Sequence, residues 1–257
     1  MKIKIAFSPC PNDLFIFYRF LTEDREKWDI KIGEMEELNQ MALNENVDVV
    51  KVSAGIYPLI KGRYEILGVG NAFGIEDGPI LVAKNKMDPK DIKKLGIPGK
   101  TTTAYLLFKK FFGEPEEVVV MNYDEIIPSI LEDKVDAGIL IHEGRLIYKN
   151  FNLTLVADLL ELWQNKHGQR CPLPLGLIVI RHEIRELKGC IEEEIKNSLL
   201  HSENNYDRVI EFILNQHPIL TKKMVEEYIR KFVNRYTYHL PKEGLKSLFL
   251  LFEELSE

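Results

Sequence analysis

His142 ends a short apolar run without charge, Ala137-Gly138-Ile139-Leu140-Ile141, of the kind expected from a strand covered on both faces in an α/β sheet. In open α/β sheets ligands bind in the crevice outside the carboxyl ends of the strands, so the imidazole stands where chemistry is usually done. A neutral ring can accept a proton near pH 7, which makes His142 a candidate general base. The competing reading is a loop histidine with a solvated ring. Glu143 and Arg145 follow closely; strand alternation points Glu143 away from His142, and neither is placed in the catalytic set.

Three further strand ends offer polar groups. In Lys51-Val52-Ser53-Ala54-Gly55, Ser53 and Gly55 leave an uncrowded backbone that suits either a ligand or tight chain packing. Pro98-Gly99-Lys100-Thr101-Thr102-Thr103-Ala104 opens a helix expected over 102–112, whose first N–H groups and dipole suit a carboxylate. Capping needs only one of the three threonines, so a binding site is expected there. Ser8-Pro9-Cys10-Pro11-Asn12-Asp13 interrupts a first strand and reads as a βα turn or as a wall of a site, with Asn12 or Asp13 as cap of the next helix.

Several near misses exclude other chemistry. Gly68-Val69-Gly70-Asn71-Ala72-Phe73-Gly74 places its last glycine one position late for a dinucleotide fingerprint, and the stretch before Thr101 has Lys94 where a P-loop needs glycine. His142-Glu143 begins like a zincin helix, but Leu146 stands where the second histidine belongs. Cys10, Cys171 and Cys190 form no CxxC pair and no even set, so idle thiols are expected, and neither metal nor disulfide. With 34 Lys and Arg against 40 Asp and Glu and a net charge of −6, the chain carries no electrostatic footprint for nucleic acid or an anionic membrane. The start, MKIKIAFSPCPND, lacks the apolar core of a signal peptide, and no apolar run approaches the ~20 residues of a membrane span. A cytoplasmic protein with a small-molecule partner is expected; the oligomeric state is left open.

The elements that position these residues alternate strand and helix with short joins, the pattern of parallel sheets. Strands are expected at 2–7, 30–35, 47–52, 64–71 and 79–83 in a first lobe, and the charged, Pro-ended 84–89 reads as a crossing to a second. That second lobe, 84–174, holds strands at 117–121, 135–141 and 152–156 and carries His142. A buried strand at 175–180 then returns to the first lobe, so that 1–83 and 175–257 form one body facing 84–174 across a cleft. The aromatic stripes of the helical tail, including YIRKFV, read as core packing.

Taken together, SPCPND, EELNQ, KVSAGIYP, IPGKTTTAYLL, IHEGRLIY and LPLG resemble, in order and spacing over residues 1 to about 180, the 1,4-dihydroxy-6-naphthoate synthases of the futalosine route to menaquinone. The resemblance implies an α/β fold of the two-lobed periplasmic-binding-protein type, turned into a lyase for cyclic dehypoxanthine futalosine that needs no cofactor. It implies His142 as proton acceptor, with substrate contacts from Lys51, Val52 and Ser53 and from Thr102, Thr103 and Ala104. Leu14, residues 74–79 and Leu177 depart from the family pattern, which bears on pocket shape but not on the histidine. A non-catalytic binding protein of the same fold and the chorismate dehydratase of the same route are the rival readings.

Overall fold

The structure, a computed structural model, describes residues 2–142 and 144–256. Two sheets divide the strands. In the first, β1 (Ile3–Phe7), β2 (Trp28–Ile32) and β3 (Val49–Ser53) run parallel, while β11 (Leu173–Arg181) lies antiparallel to β3, to β4 (Tyr64–Ile66) and to β5 (Ala72–Gly74). The order is β2-β1-β3-β11-β4, with β5 also on β11. The second sheet runs β10-β6-β9-β7-β8, from β6 (Ile80–Ala83), β7 (Lys94–Ile97), β8 (Glu117–Val120), β9 (Ala137–Leu140) and β10 (Thr154–Asp158). Both sheets are mixed rather than wholly parallel, because β11 and β6 enter antiparallel to their neighbours.

Period-two alternation builds the layers. Ile5, Phe7, Val49, Ile178 and Ile180 pack into one core with helices Pro11–Ile16, Lys188–Asn204 and Tyr206–Gln216. Ala6, Val50, Val52, Leu177 and Val179 face the opposite core, under helices Met35–Leu43 and Lys242–Ser256. In the second sheet Leu81 and Ala83 pack against helix Thr103–Phe112, whereas Ile80 and Val82 pack against Ile126, Ile127 and Ile130.

Three expectations need correction. The strand at 80–83 belongs to the second sheet, paired to β9 and β10, so the first crossing is the segment 75–79 and Lys84 lies beyond it, bonded to Asp133 at 2.6 Å. An apolar strand buried on both faces does not disclose which sheet it joins. Helix Leu159–His167, assigned to the second lobe, buries Leu159, Leu160 and Trp163 in the core beneath the first sheet. The helix after SPCPND is two short ones, Pro11–Ile16 and Tyr18–Thr22, broken at Phe17 (φ −102°, ψ 15°). Its N-cap is Cys10 with no side-chain cap; Pro11 at the first position fixes the helical φ instead, which releases Asp13 for another task.

Candidate active site

A cleft with mostly apolar walls opens between the lobes, the usual character of a small-molecule site. The ends of β1 and β3 and the strand β11 supply Ser8, Lys51, Ser53, Leu175 and Gly176; the second lobe supplies Thr102, Thr103, Ala104, Ile141, His142 and Arg145. Of the residues named from sequence, Lys51, Ser53, Thr102, Thr103, Ala104 and His142 share this one cleft. Val52 does not: alternation turns it into the core between its two neighbours, fully buried. Glu143 lies outside the described residues.

Lys51 is a buried cation with fixed partners. Its Nζ donates to Asp13 Oδ1 at 2.8 Å and to the Gly70 carbonyl at 2.9 Å, and the two side chains are 3% and 1% exposed. A charge taken so far out of water persists only when paired and hydrogen-bonded. Gly70 reaches Lys51 with φ +79°, a left-handed conformation that favours glycine. Asp13 is saturated further by the Ser8 hydroxyl at 2.7 Å and the Asn12 side-chain amide at 3.1 Å.

The threonine loop divides three tasks among three similar residues. Thr102 caps the helix, accepting from Tyr105 N at 3.3 Å. Thr103 Oγ1 accepts from Gly55 N at 3.0 Å and donates to the Leu175 carbonyl at 3.1 Å, both across the cleft. Thr101 also crosses, through N and Oγ1 to Glu36 Oε2 at 3.0 and 2.8 Å. Asn39 joins the two sides, donating to Ser53 Oγ at 3.0 Å and to Thr101 Oγ1 at 2.9 Å. Ser53 N in turn donates to Asn39 Oδ1 at 2.8 Å. These contacts hold the lobes together at the helix start.

His142 follows β9 with φ +53°, a left-handed conformation that a non-glycine residue adopts at a cost. The ring meets Tyr123 edge-on at 5.1 Å between centroids. Its Nδ1 is 2.9 Å from Cys10 Sγ and its Nε2 3.4 Å away. Arg145, one turn later, is fully engaged by Asp77 (2.5 Å), the Gly78 carbonyl (2.7 Å) and Asp158 (2.8 Å). Burial would raise the Asp77 carboxyl, but Lys231 and Arg145 outweigh it and hold it below its ordinary value. Arg145 thus clamps the crossing at 75–79 to the Asp158 cap of the next helix.

Sequence reasoning left the loop of Ser8, Cys10 and Asp13 as either a turn or a wall of a site, and passed over Tyr228 and Phe232, which line the cleft from helix Lys222–Phe232. An amphipathic stripe gives no sign of which aromatic faces a cavity. The SPCPND loop did give one, since two prolines around a cysteine at a strand end hold that thiol in a fixed place. Apolar walls from Met35, Ala72, Pro79, Ile141, Leu175 and Phe232 beside a few fixed polar groups suit a small, largely apolar ligand with a few polar groups of its own.

A family profile described as "Menaquinone biosynthesis" matches residues 3–257. The chain belongs to that menaquinone biosynthesis family. Among its curated relatives are proteins named 1,4-dihydroxy-6-naphthoate synthase. The one from Thermus thermophilus is 29% identical over 256 residues, 98% of this chain and 93% of that one. The one from Streptomyces coelicolor is 29% identical over 259 residues, 96% of this chain and 90% of that one. Among solved structures, protein AF1704 from Archaeoglobus fulgidus superimposes with a TM-score of 0.90 at 33% identity, covering 98% of this chain and 97% of that one. The periplasmic aliphatic sulphonate binding protein SsuA from Escherichia coli superimposes with a TM-score of 0.59 at 12% identity, over 98% of this chain and 87% of its own. The fold of this menaquinone biosynthesis family member is therefore the two-lobed α/β fold of periplasmic binding proteins.

Proposed function

We propose that this chain is a cytoplasmic 1,4-dihydroxy-6-naphthoate synthase, a carbon–carbon lyase that converts cyclic dehypoxanthine futalosine to 1,4-dihydroxy-6-naphthoate. The observation that carries the reading is the meeting of His142 with Lys51, Ser53 and the 102–104 helix start in one cleft, in a chain whose family serves menaquinone biosynthesis. Neutral His142 abstracts a proton from the sugar-derived part of the spiro substrate; ring opening and loss of that fragment follow, and aromatisation supplies the driving force. The chain's own work is a base, orientation and shelter from water. Thr103 and Ala104 at the helix start face the substrate carboxylate, with Lys51 and Ser53 on the opposite wall.

The test is to incubate the purified protein with cyclic dehypoxanthine futalosine and look for the dihydroxynaphthoate by mass and ultraviolet absorption. Tight binding without product would make it a two-lobed binding protein; turnover of chorismate instead would make it a dehydratase.

A further inference from the structure

Arg145 follows His142 by three positions and stands on a helix of only four residues, Gly144–Ile147. One turn of helix does not hold itself, because closing its first bond orders several residues at once. Its far end is fixed by apolar packing, with Ile147 and Tyr148 in a core of the second sheet. Its near end, beside His142, is fixed by the guanidinium.

All three contacts of that guanidinium lie on the segments that join the lobes. Nε donates to Asp77 Oδ1 at 2.5 Å and Nη1 to the Gly78 carbonyl at 2.7 Å, both on the crossing at 75–79. Nη2 donates to Asp158 Oδ2 at 2.8 Å, where β10 passes into helix Leu159–His167 and so into the first-lobe core. Each carboxylate has a second hold. Asp77 Oδ2 pairs with Lys231 of helix Lys222–Phe232 at 2.5 Å, and Asp158 Oδ1 caps its own helix, accepting from Leu160 N at 2.9 Å and Glu161 N at 3.2 Å. The joining segments therefore keep other anchors when Arg145 is replaced, and the piece that loses most is the short helix beside His142. The side chains of Arg145, Asp77 and Asp158 are 18%, 11% and 14% exposed, so water is poorly placed to substitute. Donors of one rigid plane reach acceptors on three residues, a fork that an ammonium cannot copy.

We propose that Arg145 is a positioning residue for His142: it ties the base to the hinge between the lobes, so that the ring keeps its place across the cleft, 2.9 Å from Cys10 Sγ. The left-handed backbone at His142 (φ +53°) fits this role, since such a conformation persists where its surroundings over-determine it. The effect of Arg145 on turnover rests on the lyase reading; its effect on the ring does not.

The first measurement needs no substrate: imidazole NMR signals of histidine-labelled protein, with those of His142 assigned by their loss in His142→Asn. In Arg145→Gln and Arg145→Lys these signals should leave their native positions and broaden, while those of the other five histidines stay. Lysine keeps the charge and loses the fork, so the Arg145→Lys spectrum separates placement from electric field. Asp158→Asn keeps an oxygen for the cap and a weaker acceptor for Nη2; it should move the same signals less, and it carries the test where the Arg145 variants do not fold. The second measurement is turnover. Both Arg145 variants should lower kcat about tenfold or more through misplacement of the base, short of the ~100-fold or greater contribution of the base itself. KM should stay within a few-fold, and neither variant should cost anything further in a His142→Asn background. Native His142 signals in the folded Arg145 variants, or in Asp158→Asn where those do not fold, would overturn the proposal. So would native signals and kcat in Arg145→Lys alone, which would leave only the charge at work, or a KM that rises many-fold at unchanged kcat, which would make Arg145 a substrate contact. Failure of the native protein to form the naphthoate, with the signals displaced as described, would overturn the lyase reading and leave the role of Arg145 standing.

Discussion

On the first-lobe side of the cleft, Lys51 and Asp13 are bonded at 2.8 Å with side chains 3% and 1% exposed, on strand ends whose neighbours all pack in the core. On the second-lobe side, His142 is only partly covered and stands on a left-handed residue just past its strand. One wall holds a deeply buried ion pair; the other holds a partly covered ring that reaches across the cleft to Cys10. The contrast teaches that polar groups in one site can be tied to stability or to turnover separately. Substitutions on the first wall should appear mainly in folding, and those on the second mainly in rate.

The largest expected effect tests the first wall. Lys51→Met leaves Asp13 buried without its cation and should cost about 3–5 kcal/mol of folding stability, read from urea unfolding. A loss under about 1 kcal/mol would mean that water reaches Asp13 and that the two walls are alike. Next, His142→Asn should leave stability within about 0.5 kcal/mol of native while kcat falls about 100-fold or more. The native pH–rate profile should lose activity on its acid side as the base is protonated, and that limb should vanish in the variant. Turnover within a few-fold of native would shift the search for a base to the cleft's other ionisable groups.

Thr103→Val sharpens the comparison at the seam between the walls. It strips the hydroxyl that Gly55 N and the Leu175 carbonyl share, and an orphaned buried donor costs about 1–3 kcal/mol. Stability measured by urea unfolding should fall accordingly, and an unchanged value would mean that water replaces the hydroxyl at the seam; the equivalent change at Thr102 should cost less, through a lost cap. The smallest effect lies outside both walls, at Asp77. Although burial pushes it up, Lys231 and Arg145 hold its carboxyl below its ordinary value in the folded chain, so its contribution is fully present above that ordinary value and is lost as pH falls through the lower, folded one. Asp77→Asn should therefore be slightly less stable at neutral pH, and the two unfolding curves should converge in acid. Curves that stay parallel down to low pH would show that Lys231 and Arg145 gain nothing from that charge.

How much of this was legible from sequence followed from distance along the chain. The strand before His142, the strand end at Lys51 and Ser53 and the helix opened by Thr102 each depend on a few adjacent residues, and each appeared close to where it was expected. Val52 was placed among ligand contacts through family resemblance, although period-two alternation beside Lys51 already turned it inward. The thiol at Cys10 was taken for idle because its partner comes 132 positions later. Asp13 was offered, as an alternative to Asn12, for a helix cap because its partner Lys51 lies on another strand. Ile80–Ala83 was put on the wrong sheet because four apolar residues match either core equally well.

The place of β11 bears on how the chain is made. It lies between β3 and β4, yet residues 80–158 of the whole second sheet leave the ribosome before it. The second lobe can thus fold on the ribosome as a continuous piece, while β1, β2 and β3 must wait with one edge unpaired until residues 54–172 have been translated. Synthesis at ~5–20 residues per second makes that wait several seconds long. A nascent chain stalled when residue 158 has just cleared the exit tunnel should resist protease across the second lobe and remain open to it across the first.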